Sequence, residues 1–93
     1  MELETVEIYS NTSNNAVLKL SGRKFPGSLI QGDSLSILVS EIAEAKAAIE
    51  SGDSEDANEI LFSVLERLID RLNIYTEALK AHNHELPFAE HKI

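Results

Sequence analysis

Cysteine and tryptophan are both absent from this 93-residue chain. Without cysteine there are no disulfides and no thiolate zinc site, and a reducing compartment costs the fold nothing. Positive charge is also scarce. Eight Lys and Arg stand against sixteen Asp and Glu, for a net charge of −8. Most of the excess falls after residue 33. Such a surface repels nucleic-acid phosphate and anionic lipid, so neither nucleic acid nor membrane is an expected partner. The one basic cluster, Lys19, Arg23 and Lys24, is too small to offset the rest. No apolar run approaches the roughly 18 residues of a membrane span. The opening "MELETVEIYS" has neither a basic nor an apolar leader region, so no signal peptide is expected and a cytoplasmic location is the default. Asn11-Thr12-Ser13 spells a glycosylation sequon, read as chance without a secretory signal. No internal repeat or low-complexity segment stands out.

What is present suits one small domain over residues 1–93. A chain this short buries only about 60–65% of its unfolded surface, so its stability margin is thin. Aliphatic residues supply most of the core-forming set, with three Phe and two Tyr. The predicted class is α+β. A three-stranded antiparallel sheet, about 3–10, 15–21 and 28–31, packs against an antiparallel helix hairpin, about 34–51 and 54–82. The β part spans 1–33, the hairpin 34–82 and a tail 83–93.

In the first strand Val6 and Ile8 share one face and Thr5 and Glu7 the other, the alternation of a half-buried strand. "NTSNN" at 11–15 is a cluster of turn formers. "AVLKL" then gives a second strand, paired to the first as a hairpin. "SGRKFPG" at 21–27 holds two Gly and a Pro and cannot continue it. "SLIQ" at 28–31 is a short third strand, ended by Gly32.

After Gly32 the period changes. Leu35, Leu38, Ile42, Ala45 and Ile49 recur at three- and four-residue steps, one face of an amphipathic helix. Asp33 or Ser34 is the expected N-cap, contributing about 1 kcal/mol through a bond to a first-turn amide. Gly52 supplies a left-handed stop. Asp53 or Ser54 caps a second helix, whose first turn is acidic. Its seam runs Ala57, Leu61, Val64 or Leu65, Leu68, Leu72, Tyr75 and Leu79, over roughly 40 Å at 1.5 Å per residue. Asn83 and Pro87 bound its end, and Leu86 and Phe88 are anchors for the tail. A link of two or three residues makes the helices antiparallel. Alanines at 43, 45, 47 and 48 let them approach closely.

"GDSL" at 32–35 matches the signature of a serine esterase family. A nucleophilic Ser34 would need a base and an orienting acid. None of His82, His84 and His91 has an Asp three residues before it, and the chain is about half the size that fold needs. The tetrapeptide is read as a helix start, and no catalytic residue is expected. The longer pattern points elsewhere. Asn14 to Val17 (N-x-A-V), Arg23 to Gly27 (R-x-F-P-G), Gln31 to Leu35 (Q-G-D-S-L) and Leu86 to Phe88 together resemble a family of small bacterial proteins of unknown function. The resemblance implies a strand, a loop, a turn and two helices, and carries no activity.

Other constellations are weaker. His82, His84 and Glu85 lie too close in sequence for a helix to aim them at one metal ion, so no metal or other cofactor is expected. Glu41, Glu44, Glu55, Asp56, Glu59, Glu66 and Asp70 fit a solvated helix face better than acid–base work, which needs a pKa-shifting cleft. The loop carrying Arg23, Lys24 and Phe25 is the best ligand candidate, since Arg beside an aromatic suits a carboxylate. Gln31, Asp33 and Ser34 in the next turn are grouped with it. The structural alternative has Phe25 plugging the core and Pro26-Gly27 forming a turn. On the second helix, Ile60, Phe62, Ile69 and Ile74 exceed what one neighbour covers, which suggests a homodimer. The expected function is therefore a non-catalytic protein-interaction module, self-associating through the long helix. An acidic immunity-type inhibitor of a basic toxin is one alternative. A small-molecule binding protein or enzyme around the GRKFPG and QGDS loops is the other.

Overall fold

Strand pairing sets the limits of the β part. A computed structural model of the protein describes residues 1–12 and 14–90. It contains β1 (Glu7–Ser10), β2 (Val17–Lys19), β3 (Gly27–Ser28), α1 (Gly32–Glu50) and α2 (Ser54–Ala81). This is the expected α+β class, a three-stranded antiparallel sheet in the order β1-β2-β3 with two helices. The strands are shorter than predicted because the ladder runs out of partners. After Lys19 the chain turns, Arg23 N–H donating to Leu20 O at 3.2 Å with Gly22 at φ 81°. Nothing in β2 then lies opposite residues 3–6. Pro26, just before β3, has no N–H to donate to a ladder.

The register corrects the predicted faces. Glu7 pairs with Lys19 and Ile8 with Leu18, but Ser10 pairs with Val17, so a bulge falls at Tyr9. Val17 is 1% exposed and faces the core. Leu18 points to the opposite side of the sheet, and Ile8, its partner, goes with it. Ile8 is therefore 59% exposed, and Tyr9 packs on the core in its place.

The chain forms two compact units. The first comprises Met1–Leu29 with Leu72–Ile93. Its core joins Val17 of β2 to Tyr75, Ala78 and Leu79 of α2, and Tyr9, Leu86 and Phe88 pack around them. Positions 75, 78 and 79 share one helix face. The buried Tyr75 hydroxyl donates to Pro26 O at 2.6 Å, which satisfies it and ties the turn before β3 to α2. At the end of α2, Asn83 adopts φ 55°. Its N–H donates to Lys80 O at 3.1 Å, and His84 N–H donates to Leu79 O at 3.0 Å. This left-handed cap turns the chain back. Leu86 and Phe88 then reach the core, the Phe88 ring lying 6.1 Å from Tyr75. The last turns of α2 and the tail thus belong with the sheet, although the sequence assigned 72–82 to the hairpin.

The second unit is Ile30–Arg71, holding α1 and the first turns of α2. The hinge between the helices is locally encoded. Gly52, at φ 85°, donates its N–H to Ile49 O at 3.0 Å, and Asp53 N–H donates to Ala48 O at 2.8 Å. Asp53 then caps α2, its Oδ1 accepting the Asp56 N–H at 3.1 Å. One residue closes the first helix and opens the second. The core here is small, Ala45, Ala48 and Ala57 with Ile60 against them. The N-cap of α1 differs from expectation. The helix starts at Gly32, and the cap is Gln31, extended and without a side-chain bond. Asp33 lies inside the first turn, where its Oδ1 accepts the Ser34 N–H at 2.8 Å. The backbone turns helical two residues earlier than expected, and Leu35 N–H donates to Gln31 O at 3.0 Å to close the first turn. Among the described residues no helix is long and apolar enough to cross a membrane.

Candidate interaction surfaces

The predicted Arg23–Phe25 site is partly built into the first unit. Pro26 is buried, and Phe25 is half-buried with its ring 5.6 Å from His84. Lys24 Nζ lies 5.3 Å from the Phe25 centroid and 3.4 Å from Glu85 Oε1. This pair is exposed on both sides, so it contributes little to stability. Tyr9 continues the row, 5.7 Å from His84 and 4.9 Å from His82. Both imidazoles engage the backbone, His82 Nδ1 with Ala78 O at 2.9 Å and His84 Nδ1 with Glu85 O at 2.8 Å. Among the described residues no three His, Asp or Glu converge on a metal position. His91, part of the histidine constellation, lies outside those residues, as does Ser13 of the sequon.

Arg23 faces a different setting. It lines an open hollow of about 320 Å³ walled by Leu18, Leu20, Phe25 and Leu29. By the strand register, Leu18 and Leu20 stand on the side of the sheet away from Val17. The sheet is thus apolar on both faces, and only one meets the α2 core. Gln31, Asp33 and Ser34 fall in the second unit and form the start of α1.

The four residues assigned to self-association are scattered. Ile60 packs on the alanine cluster. Ile69 is half-buried beside a polar hollow with Glu66, Arg67 and Asp70. Ile74 is half-buried in the first unit, and Phe62 is 62% exposed. The larger open surface lies elsewhere. Leu35, Ile42 and Ile49 of α1 are exposed at seven-residue spacing, and Leu61, Leu65 and Leu68 of α2 are exposed at steps of four and three. In the sequence these belonged to the helices' apolar faces together with Ala45 and Ala57. The structure keeps the contact at Ala45, Ala48 and Ala57, where close approach was expected, and leaves the larger members of those faces open. The signal was present in the sequence, but the period alone does not say what covers an apolar stripe.

Charge is divided as unevenly as apolar surface. The second unit carries ten carboxylates against three cations, Lys46, Arg67 and Arg71, and so holds nearly all of the chain's excess. Glu41 and Arg67 form a two-pronged ion pair between α1 and α2, Arg67 Nη1 donating to Glu41 Oε1 at 3.0 Å and Nη2 to Oε2. Its hydrogen bonds to the Glu41 carboxylate hold the Arg67 guanidinium above its usual range, against some desolvation. In the first unit, burial raises the Tyr75 phenol above its ordinary 10.0, with the neighbouring Tyr9 adding to the shift.

The sheet, the left-handed cap and the helix pair describe a small α+β scaffold with apolar surface left open on both units. The chain belongs to a family of unknown function (DUF6959), whose model matches residues 1–88. No curated protein and no solved structure matches it.

Proposed function

We propose that the protein is a non-catalytic interaction module that self-associates through the apolar stripe of its helix pair. One observation carries this reading. Leu35, Ile42 and Ile49 on α1, and Leu61, Leu65 and Leu68 on α2, are exposed although their spacing is that of a bundle core. The side chains the second unit does bury are small, Ala45, Ala48, Ala57 and Val64. Two helices meeting over alanines lack the second layer that an apolar face requires. A second copy, brought in by a two-fold axis, supplies an identical stripe and makes a four-helix bundle. Covering each half-exposed Leu or Ile contributes about 1 kcal/mol. Phe62 flanks the stripe, and Ile69 and Ile74 stand further along the same helix as secondary contacts. The cytoplasm remains the proposed location, and neither nucleic acid nor membrane is a proposed partner.

The test is solution mass by light scattering across a dilution series. The expected result is twice the chain mass at tens of micromolar. Ile42→Glu with Leu68→Glu should return the single-chain mass with helicity largely kept. A single-chain mass for the unaltered protein at that concentration removes the proposal.

A second reading rests on the second unit's carboxylate excess. An acidic surface of this kind suits an inhibitor that masks a basic active site of a toxin. Salt-sensitive co-purification with a basic protein encoded beside it would favour this over self-association.

A further inference from the structure

The segment before β1 and the hollow beside β3 are complementary in chemistry. Residues 1–6 are "MELETV", with no regular structure. Met1 and Leu3 are exposed at 117% and 94%, as far as a side chain can be. They alternate with Glu2 and Glu4, so an extended arm puts Met1 and Leu3 on one side and the carboxylates on the other. The hollow offers the counterpart. Its walls are Leu18, Leu20, Phe25 and Leu29, and Arg23 is the one charged residue lining it. It lies beside β3, an edge strand of the sheet. Edge strands present backbone groups to an incoming strand.

We infer that the hollow receives the N-terminal arm of a second copy of this chain. Met1 and Leu3 seat among the leucines and the backbone runs along β3; Arg23 is carried by the turn between β2 and β3, not by a strand face, and its guanidinium meets Glu2 or Glu4 at the outer edge of the arm. Two features favour the second copy over the chain's own arm. The arm stands clear of the hollow in the single chain, with its apolar side chains in solvent. It also contains no Gly, Pro, Asn or Asp with which to reverse direction. Exchange about a two-fold axis occupies both hollows at once. This contact uses the sheet of the first unit and is distinct from the helix stripe proposed above.

The natural lack of cysteine makes a clean test. One chain carries Leu3→Cys and a size tag, and another carries Gly27→Cys, which pairs with Leu18 on the hollow's side of the sheet and has open space for a side chain. Mixed at tens of micromolar under mild oxidation, they should give a cross-linked heterodimer. The rate should exceed by about tenfold that of a control pairing Leu3→Cys with Ser40→Cys on α1. Arg23→Glu should slow the cross-link, and adding Glu2→Lys and Glu4→Lys to the arm should restore it. A mixture no faster than the control overturns the inference. So does a Leu3→Cys, Gly27→Cys double variant that closes within one chain at a rate independent of concentration, because the arm would then serve its own hollow. Retention of the cross-link rate in Arg23→Glu overturns the charge pairing.

Discussion

The two units bury themselves by different means. The first closes around large side chains drawn from distant parts of the sequence. Val17 from β2, Tyr75 and Leu79 from α2, and Phe88 from the tail meet in one core, with a phenol donating to a turn carbonyl. The second closes around alanines contributed by adjacent helices, and leaves most of its leucines and half of its other large aliphatic side chains exposed, Leu35, Ile42, Ile49, Leu61, Leu65 and Leu68 among them. Burial of a Leu or Tyr stabilises by more than burial of a methyl group, since the gain follows apolar area. The first unit is thereby equipped to hold its own shape. The second has its helix ends fixed by local caps and its broad apolar face free for contact. Nearly all of the negative charge also sits on the second unit, so the half with the open stripe carries the repulsive surface too. A partner must match the stripe closely to overcome that repulsion, which favours specific over indiscriminate association.

The sharpest way to break this contrast is to empty the first core. Leu79 is 0% exposed, and Leu79→Ala should cost about 2–5 kcal/mol, much of what a domain of this size possesses. Urea denaturation followed by circular dichroism reads it. A loss below about 1 kcal/mol would show that the aromatic core does not carry the fold. In the second unit the informative change is the reverse. Ala45→Leu forces a large side chain between helices that meet over methyl groups, and should cost about 1–3 kcal/mol. If it stabilises the protein instead, the alanine contact is not close-packed.

A smaller effect is expected at Tyr75. Tyr75→Phe removes the bond to Pro26 O and should cost about 1 kcal/mol near neutral pH. The pH dependence sharpens it. The folded-state phenol titrates above its ordinary 10.0, whereas in the unfolded chain it ionises at about that value. The associated stability is complete below pH 10.0 and is lost as pH rises through the folded-state value. Denaturant midpoints measured from pH 8 to 11 should fall at the alkaline end, and Tyr75→Phe should flatten part of that fall. An identical alkaline slope in the variant would remove Tyr75 as its source.

Much of the architecture was legible in the chain because it is locally encoded. The Gly52-Asp53 hinge needs a residue tolerant of positive φ followed by a carboxylate able to cap, and both stand in the required order. Asn83 ends α2 by the same logic. Leu86 and Phe88 were recognisable as anchors because they are the large apolar residues of an otherwise polar tail. The start of α1 was misjudged by one or two residues because Asp33 and Ser34 are good caps and Gly32 is a poor helix former. Here the backbone entered the helix before reaching them.

Less was legible where the outcome depended on segments far apart in the sequence. Alternation marked Val6 and Ile8 as a pair, but the bulge at Tyr9 decided which face met α2. The stripe at Leu35, Ile42 and Ile49 was visible, and the alanine run was legible as the place of close approach to α2; that the stripe would stay open was not. Arg23 and Phe25 stand two apart in the chain and line the same open hollow, yet only Phe25 also rests on a histidine from the far end of the sequence, His84.

The order of letters alone was enough to establish where each helix begins and stops, to within a residue or two, and that strands precede them. Caps, turns and periodicity act over a few residues and do not depend on the rest of the molecule. Packing alone chose the buried faces, the sheet register and the grouping of the last turns of α2 with the strands. Those choices rest on contacts between residues distant in the chain, and an apolar period records that a face avoids water without recording what shields it.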